Sequence, residues 1–453
     1  MNQASQHAEQ AHSILIIGLG QTGLSCARFL VAQGFDVAIM DTRDDAPCLS
    51  LLQEEMPEVL VKMGGLDSQW MQQADMIVLS PGIDPRLPEI VAAKQAGVEL
   101  IGDIELFARY ADAPIVAITG SNGKSTVTTL LADMAVESGK VVKVGGNLGI
   151  PALALLTEEK PDFYIVELSS FQLETVKSMN AFVSTVLNIS PDHLDRYDNE
   201  QAYQNAKATI YNGDGVMVLN SDDANVISLF QEGRNHIRFG LQQSDGVNFG
   251  LIEQEGEQYL AEGSQPLLAV SKLKIKGTHN SANALAALAL GSAMGLEMSA
   301  MLSTLQTYIG LPHRCRLVAS NDDIAWFNDS KATNVGACIA AIEGLADSGK
   351  IILIAGGVAK DQDFSPLTAI LKSHVRDMIV FGQDAGLLAD ICPKTIALHR
   401  VDTLQQAVNK AFDLAVSGNN VLLSPACASF DMFSGYAQRG DEFERCVQEL
   451  INE

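Results

Sequence analysis

Short β-rich apolar runs alternate with amphipathic stretches along the whole chain, in three blocks that each open with a strand feeding a glycine-rich turn. The first block runs from Ser13 to about Tyr110, with strands expected at Ile14–Ile17, Val37–Met40 and Met76–Leu79 and a helix over Leu24–Gln33. The second opens at Pro114 and continues through Phe163–Glu167, Val183–Asn188 and Val216–Asn220 to about Leu311. The third starts near Pro312 and holds Ile324–Asn328, Ile351–Ala355, Met378–Phe381 and Val421–Ser424. Strands alternating with 10–15-residue helical patterns predict an α/β chain with parallel sheets in every block. The pattern therefore divides the chain into 13–110, 111–311 and 312–453, preceded by a polar stretch, 1–12, expected to be frayed. The segment 235–270, rich in Gly, Gln and Glu, reads as an irregular β insert in the middle block.

Length agrees with that division: 453 residues at roughly 100–200 per domain allow two to four domains. The apolar stretch Ala284–Leu296 is broken by Gly291 and Ser292 and falls short of the ~20 residues a membrane span needs. It reads as a buried helix, and no membrane span is expected. The first 27 residues carry no Lys or Arg, so the basic start of a signal peptide is missing. Seven scattered cysteines without a CxxC pair suit reduced thiols in a cytoplasmic protein. With 55 acidic against 30 basic residues, net −25, the chain lacks the basic surface that nonspecific nucleic-acid binding requires. Phosphorylated small molecules remain open, because local amide nests and a few cations suffice for them.

Two turns are candidates for that chemistry. Gly18-Leu-Gly-Gln-Thr-Gly23 follows a strand and opens a helix, and Asp41 ends the next strand. Glycines there let backbone N–H groups approach a pyrophosphate at a helix N-terminus. A nicotinamide or flavin cofactor, another nucleotide diphosphate and a merely tight turn all satisfy the pattern. The second turn, Thr119-Gly-Ser-Asn-Gly-Lys-Ser-Thr126, has the glycine amides, the lysine and the hydroxyl that cradle a triphosphate and its Mg²⁺. Ile118 stands where the usual phosphate loop has its first glycine. A dehydrogenase has little use for a triphosphate loop, whereas an ATP-driven enzyme acting on a nucleotide-tagged substrate needs both sites.

With both turns in view, the chain resembles the Mur ligase family, whose Thr-Gly-x-Asn-Gly-Lys-Ser/Thr loop accounts for Ile118. Matching segments include Glu167–Gln172, Asp192–Tyr197, Gly277–Asn280, Pro312–Arg314, Asn328–Asn334 and Leu423–Ser429, so the resemblance covers almost the whole chain. It implies three domains: a Rossmann-like one for a UDP-linked substrate, a central P-loop ATPase, and a Rossmann-like C-terminal one that closes on the site. It also implies an ATP-dependent amide ligase that activates the L-alanine carboxylate of UDP-N-acetylmuramoyl-L-alanine as an acyl phosphate and adds D-glutamate. The Asn328–Asn334 and Leu423–Ser429 segments together point to the D-glutamate member rather than its sisters. The enzyme is expected to be monomeric.

By the same resemblance Gly120, Ser121, Asn122, Gly123, Lys124, Ser125, Thr126, Asn280, Asn283, Arg314 and Asp329 contact ATP, and Ser125 with Glu167 holds a first Mg²⁺. His193 and Lys207 serve a second Mg²⁺, Lys207 after carbamylation by CO₂; Lys124, His193 and Lys207 are the expected catalytic groups. Gly20, Gln21, Thr22, Gly23, Asp41, Thr42, Arg43, Ser80, Pro81, Gly82, Asn147, Ser169 and Gln172 are implied contacts of the UDP substrate. Lys331, Thr333, Lys360, Ser429 and Tyr436 are implied for D-glutamate. From the residues alone several have plainer accounts. Glu167 reads as a solvated or paired carboxylate, His193 as a turn histidine bonded to neighbouring acids, and Lys207 as a surface charge. Asn280 and Asn283 read as helix caps, and Cys427 as small-residue packing. Carbamylation needs a neutral amine and hence a shielded site. Tyr436, where the family more usually has Phe, and Arg316, in place of an acidic residue, depart from the pattern without touching the phosphoryl machinery. The remaining rivals are a glutamate-adding ligase such as folylpolyglutamate synthase, which has no need of block 13–110, a dinucleotide oxidoreductase, and a non-catalytic nucleotide-binding protein.

Overall fold

The computed structural model describes residues 13–192, 196–242, 248–346 and 349–452. The 1–12 segment, expected as a frayed tail, lies outside them. Three sheets form, one for each block of the pattern. In the first, β1 (Ser13–Ile17) is central, flanked by β2 (Asp36–Met40) and β3 (Leu60–Lys62) on one side and β4 (Met76–Leu79) and β5 (Glu99–Gly102) on the other. All five are parallel, in the order β3-β2-β1-β4-β5. Ile14 to Ile17 are all buried, as expected of a strand covered on both faces. Helix α1 (Gln21–Ala32) presents Leu24, Ala27 and Leu30 to the sheet, one stripe at helical spacing. The chain order reverses between β1 and β4, which opens a crevice at their C-terminal ends.

Helix α2 (Asp103–Tyr110) joins the first sheet to the second. Its Glu105 is fully buried, accepting from the backbone N–H groups of Lys177 (2.7 Å) and Ser178 (2.8 Å) and the Ser178 hydroxyl (2.7 Å). Arg109 donates to the same carboxylate from one turn on. Burial alone would raise this carboxyl, but the N–H and O–H donors hold it below its ordinary value. Glu105→Gln turns an amide NH₂ toward donors, and is expected to cost about 2–3 kcal/mol, read as a lower urea midpoint.

The second sheet contains β6 (Ile115–Thr119), β7 (Val142–Gly146), β8 (Phe163–Glu167), β9 (Val183–Val186), β10 (Val216–Asn220) and β11 (His236–Phe239). It ends in β12 (Phe249–Gln254), β13 (Glu257–Glu262) and β14 (Gln265–Ala269), with the order β7-β8-β6-β9-β10-β11-β12-β13-β14. Strands β7 to β11 pair in parallel, and β12 to β14 form an antiparallel meander. The described residues of segment 235–270 thus form regular strands where an irregular insert was expected. Its polar residues take exposed or half-buried positions in these edge strands, while Leu260 and Ala261 of β13 are buried. Helices α3 (Lys124–Glu137), α4 (Glu200–Ala208) and α5 (Thr278–Ala293) pack around this sheet. The stretch beginning at Ala284 lies mostly in α5, buried as expected, and no described helix is long and apolar enough to cross a membrane.

The third sheet has β15 (Arg316–Asn321), β16 (Ile324–Asn328), β17 (Lys350–Gly356), β18 (Val375–Phe381), β19 (Ala397–Arg400) and β20 (Asn419–Leu423), in the order β15-β16-β20-β17-β18-β19. Only β15 runs antiparallel to its neighbour. Successive β17 residues serve opposite faces: Ile351 and Leu353 pack with α6 (Val335–Leu345), while Ile352 and Ile354 pack with Trp326 and with Phe443 of α7 (Tyr436–Asn452). The segment after β16 reaches the second sheet, where Asp329 and Lys331–Asn334 line the site.

Candidate active site

Buried strand β6 delivers the chain to a loop that only glycine can form. Gly120 and Gly123 have φ of +156° and +83°, and a Cβ on Gly123 would meet Asn283 Oδ1 at 2.5 Å. The Asn188 carbonyl and side-chain oxygens accept from the N–H groups of Ser121 (2.9 Å) and Asn122 (2.8 Å). Ile118, at the missing-glycine position, is a core residue of β6 paired with Glu167 and Thr185, so the strand occupies the place of the longer loop. Lys124 opens α3, and its Nζ donates to the carbonyls of Gly120 (2.8 Å) and Ser121 (3.0 Å). Burial pulls this ammonium below the usual lysine range, with Arg314 adding to the effect against the attraction of Glu167.

Beside the loop lies a cavity of about 490 Å³. The first sheet gives it Pro81 and Gly82; the second gives Ser121–Lys124, Thr126, Asn147, Glu167, Ser169, Lys207, Asn280 and Asn283; the third gives Arg314, Asp329, Lys331 and Thr333. Arg314 Nη2 donates to Ser125 Oγ at 2.6 Å, and Asn334 Nδ2 to Asp192 Oδ2 at 3.3 Å, so third-sheet residues already touch the central ones.

Glu167, at the end of β8, is buried; Oε1 accepts from Asn147 Nδ2 at 2.7 Å and Oε2 has no partner. A buried carboxylate oxygen left unpaired at the cavity wall fits a divalent cation, whereas the Ser125 hydroxyl is taken by Arg314 and stands outside the lining. Among the described residues no cluster of three His, Cys, Asp or Glu forms, and His193 lies outside them. Lys207, on α4, is 1% exposed, contrary to the surface position usual for a helical lysine. Its Nζ donates to Gly120 O (3.0 Å) and sits 4.7 Å from the Tyr203 ring centre, one turn away. Burial, reinforced by Lys124, holds this amine well below the lysine range.

In the first sheet, Gly18 has φ +98° and accepts from Ser80 Oγ at 2.9 Å. A Cβ on Gly23 would fall 1.9 Å from Gly18 O, so that glycine serves close helix–strand packing. Gly20, Gln21, Thr22, Thr42 and Arg43 are partly or fully exposed around the crevice. Asp41 points inward: its oxygens accept from Leu19 N–H (2.6 Å) and from Arg43 N–H (2.9 Å), Nε (2.8 Å) and Nη2 (2.6 Å). Burial would raise it, but the Arg43 bonds and the Leu19 N–H hold it at about 2. Gln172 also faces away from the cavity, spanning Asp103 Oδ2 (2.9 Å) and the Ser169 N–H (3.1 Å).

In the third sheet, the ammonium of Lys331 lies 3.8 Å from the Tyr436 ring centre, and burial with Arg314 nearby lowers it to about 8. Asp329 accepts from Cys315 N–H (3.0 Å) and Ser424 Oγ (2.8 Å), and burial lifts it to about 7. Lys360, Ser429 and Tyr436 stand outside the cavity lining, on loops tied by the Val358–Ala428 bridge and at the start of α7. Left-handed non-glycine backbone gathers here, at His313, Cys315, Lys360, Asp361 and Ala426, as it does at binding sites. Burial pushes the Cys427 thiol up to about 12, which suits packing over nucleophilic chemistry. Tyr203, Asn188 and Arg439 were not anticipated; the four-residue spacing of Tyr203 and Lys207 was the available signal for the first.

Comparison with known proteins decides the family. Three family models match in order: Mur ligase MurD-like N-terminal domain at 12–102, Mur ligase middle domain at 118–291, and Mur ligase glutamate ligase domain at 313–427. The chain belongs to the Mur ligase family. This Mur ligase is 51% identical, over 100% of both chains, to a UDP-N-acetylmuramoylalanine--D-glutamate ligase of Nitrosococcus oceani. It is 48% identical to one of Pseudomonas aeruginosa, covering 97% of this chain and 98% of that one. In fold it is similar to the UDP-N-acetylmuramate-alanine ligase MurC of Thermotoga maritima, with TM-score 0.62, 19% identity and coverage of 97% and 99%. The three-domain α/β architecture is therefore that of Mur ligases.

Proposed function

We infer that the protein is an ATP-dependent ligase that joins D-glutamate to UDP-N-acetylmuramoyl-L-alanine in peptidoglycan precursor synthesis. The observation that carries the reading is a cavity in which the phosphate loop meets residues from the first and third sheets. The full-length relatives named as D-glutamate ligases support the choice of substrates.

The reaction needs a carboxylate made electrophilic and an amine held beside it. Phosphoryl transfer from ATP places phosphate on the L-alanine carboxylate; the amine of D-glutamate then attacks the acyl carbon, and phosphate leaves. Lys124 and the loop amides bind and orient the transferring phosphate, and Arg314 reaches the same place from the third sheet. Ser125, Glu167 and a carbamylated Lys207 would hold divalent cations, which supply charge neutralisation at the phosphates. Pro81, Gly82, Asn147 and Ser169 orient the muramoyl-alanine end, with the Gly18–Gly23 crevice taking the uridine diphosphate. Asp41 contributes by fixing Leu19 and Arg43 around that crevice. Lys331, Thr333, Lys360 and Ser429 offer cations and hydroxyls to the two carboxylates of D-glutamate. Carbamylation of Lys207 forms an N–C bond to CO₂ with loss of the amine proton, and its shielded, acid-shifted amine supports that step.

The test is phosphate release with ATP, Mg²⁺ and UDP-N-acetylmuramoyl-L-alanine. Release should require D-glutamate and fail with L-glutamate or meso-diaminopimelate. Turnover with another amino acid instead would overturn the substrate choice, and silence with every amine would overturn the ligase reading.

A further inference from the structure

One cation in the third domain has no task in the reaction as described. Arg439 on α7 has none of its surface exposed, and among the described residues no carboxylate lies within ion-pair distance of it. Its Nε donates to Ser330 Oγ (3.0 Å), Nη2 to the carbonyls of Ser330 (2.8 Å) and Cys427 (3.1 Å), and Nη1 to the carbonyl of Gly356 (3.3 Å). Those acceptors follow β16 and β20 and close β17. Lys331 comes directly after Ser330, Ser429 two residues after Cys427, and Lys360 four residues after Gly356. Ser330 Oγ in turn donates to the carbonyl of Tyr436, whose ring lies under the Lys331 ammonium.

We propose that Arg439 is a positioning residue for the amino-acid substrate, locking the three strand-end loops that present Lys331, Lys360 and Ser429 and placing an unpaired positive charge beneath them. The proposal rests on the D-glutamate reading of that pocket. Loop tethering alone does not account for a guanidinium, because neutral amides can donate to carbonyls without the cost of burying a charge. Carbonyl dipoles satisfy its donors yet leave the net charge uncancelled. Asp431 and Asp329 act on it only from a distance, and burial lowers it to about 10, so it stays protonated at neutral pH. A dicarboxylate arriving at these loops supplies the missing negative charge. The planar fork reaches three carbonyls and a hydroxyl at once, which a lysine cannot do.

The experiment compares Arg439→Met, which removes charge and donors at similar length, with Arg439→Lys, which keeps the charge. KM values for D-glutamate, ATP and the nucleotide substrate are measured with thermal midpoints. Arg439→Met should raise KM for D-glutamate about tenfold or more, with the other two KM values within about twofold. Arg439→Lys should recover part of that loss. An unchanged KM for D-glutamate in folded Arg439→Met, or a parallel rise in all three, would overturn the proposal. If Arg439→Met does not fold, Arg439→Lys decides: a selective rise in KM for D-glutamate supports the role, and an unchanged value overturns it. A wild-type enzyme that ignores D-glutamate but uses another amino acid would refute the substrate reading, and the same comparison with that amino acid would still test Arg439.

Discussion

Lys124→Ala is expected to lower kcat by about a thousandfold or more, measured as phosphate release at saturating ATP, nucleotide substrate and D-glutamate. Lys124 Nζ is held against two loop carbonyls, Gly120 and Ser121, in a cavity shared with Glu167 and Arg314. A cation fixed in a dry pocket stabilises charge that gathers on a transferring phosphate far better than a solvated one. Its loss should therefore fall on kcat rather than on folding. Lys124 is the first residue of α3, and the helix core of Val127, Leu130, Leu131 and Met134 is untouched. The thermal midpoint should move little, and KM for D-glutamate should stay within about twofold. A variant that keeps a tenth or more of wild-type kcat would remove Lys124 from the phosphoryl step.

Both phosphate loops were legible because their signals are local. A buried strand, a glycine turn and a helix start lie consecutively, and the left-handed backbone at Gly18 and Gly123 forces the residue choice. The parallel sheets followed from uniformly apolar strands such as Ile14–Ile17 and Ile351–Ala355. Short or partly exposed strands escaped: Leu60–Lys62 has three residues with none buried, and Ala397–Arg400 has mostly exposed positions. Without a one-sided apolar pattern, only pairing to a neighbour defines them as strands.

Side-chain direction was the least legible feature, because it depends on residues far apart in sequence. Asp41 ends a strand as a ribose-binding acid does, yet its carboxylate is taken by Leu19 and Arg43. Gln172 sits in a matching motif but braces Ser169 against Asp103 at the start of α2. Arg439 belongs to an amphipathic helix, where a lone arginine reads as solvent-facing, and its burial depends on loops over eighty residues away. The overall charge of −25 also hid a local inversion, since Lys124, Lys207, Arg314 and Lys331 all converge on one cavity. Long-range charge sets solubility, while these four set what binds.

That inversion bears most on Lys207, whose environment disfavours a simple ammonium. If Lys207 carries the proposed carbamate, Lys207→Ala is expected to lower kcat by about a hundredfold or more, because the cavity would lose a carboxylate made from CO₂. Millimolar formate or acetate should restore part of the activity in Lys207→Ala by supplying that carboxylate. Lys207→Arg should remain inactive with either acid, since a guanidinium cannot add CO₂ and still fills the space. The direction with pH follows from the amine. Only the neutral form attacks CO₂, and burial beside Lys124 shifts Lys207 well below the lysine range. A lowered amine has a larger neutral fraction at any given pH than a free lysine, so carbamate should fall as pH drops and the amine protonates. A ¹³C NMR carbamate signal from wild type in ¹³C-bicarbonate, absent in Lys207→Ala, is the direct readout. Full activity in Lys207→Ala, or no signal together with turnover indifferent to CO₂, would leave Lys207 as a buried amine that hydrogen-bonds the Gly120 carbonyl and nothing more.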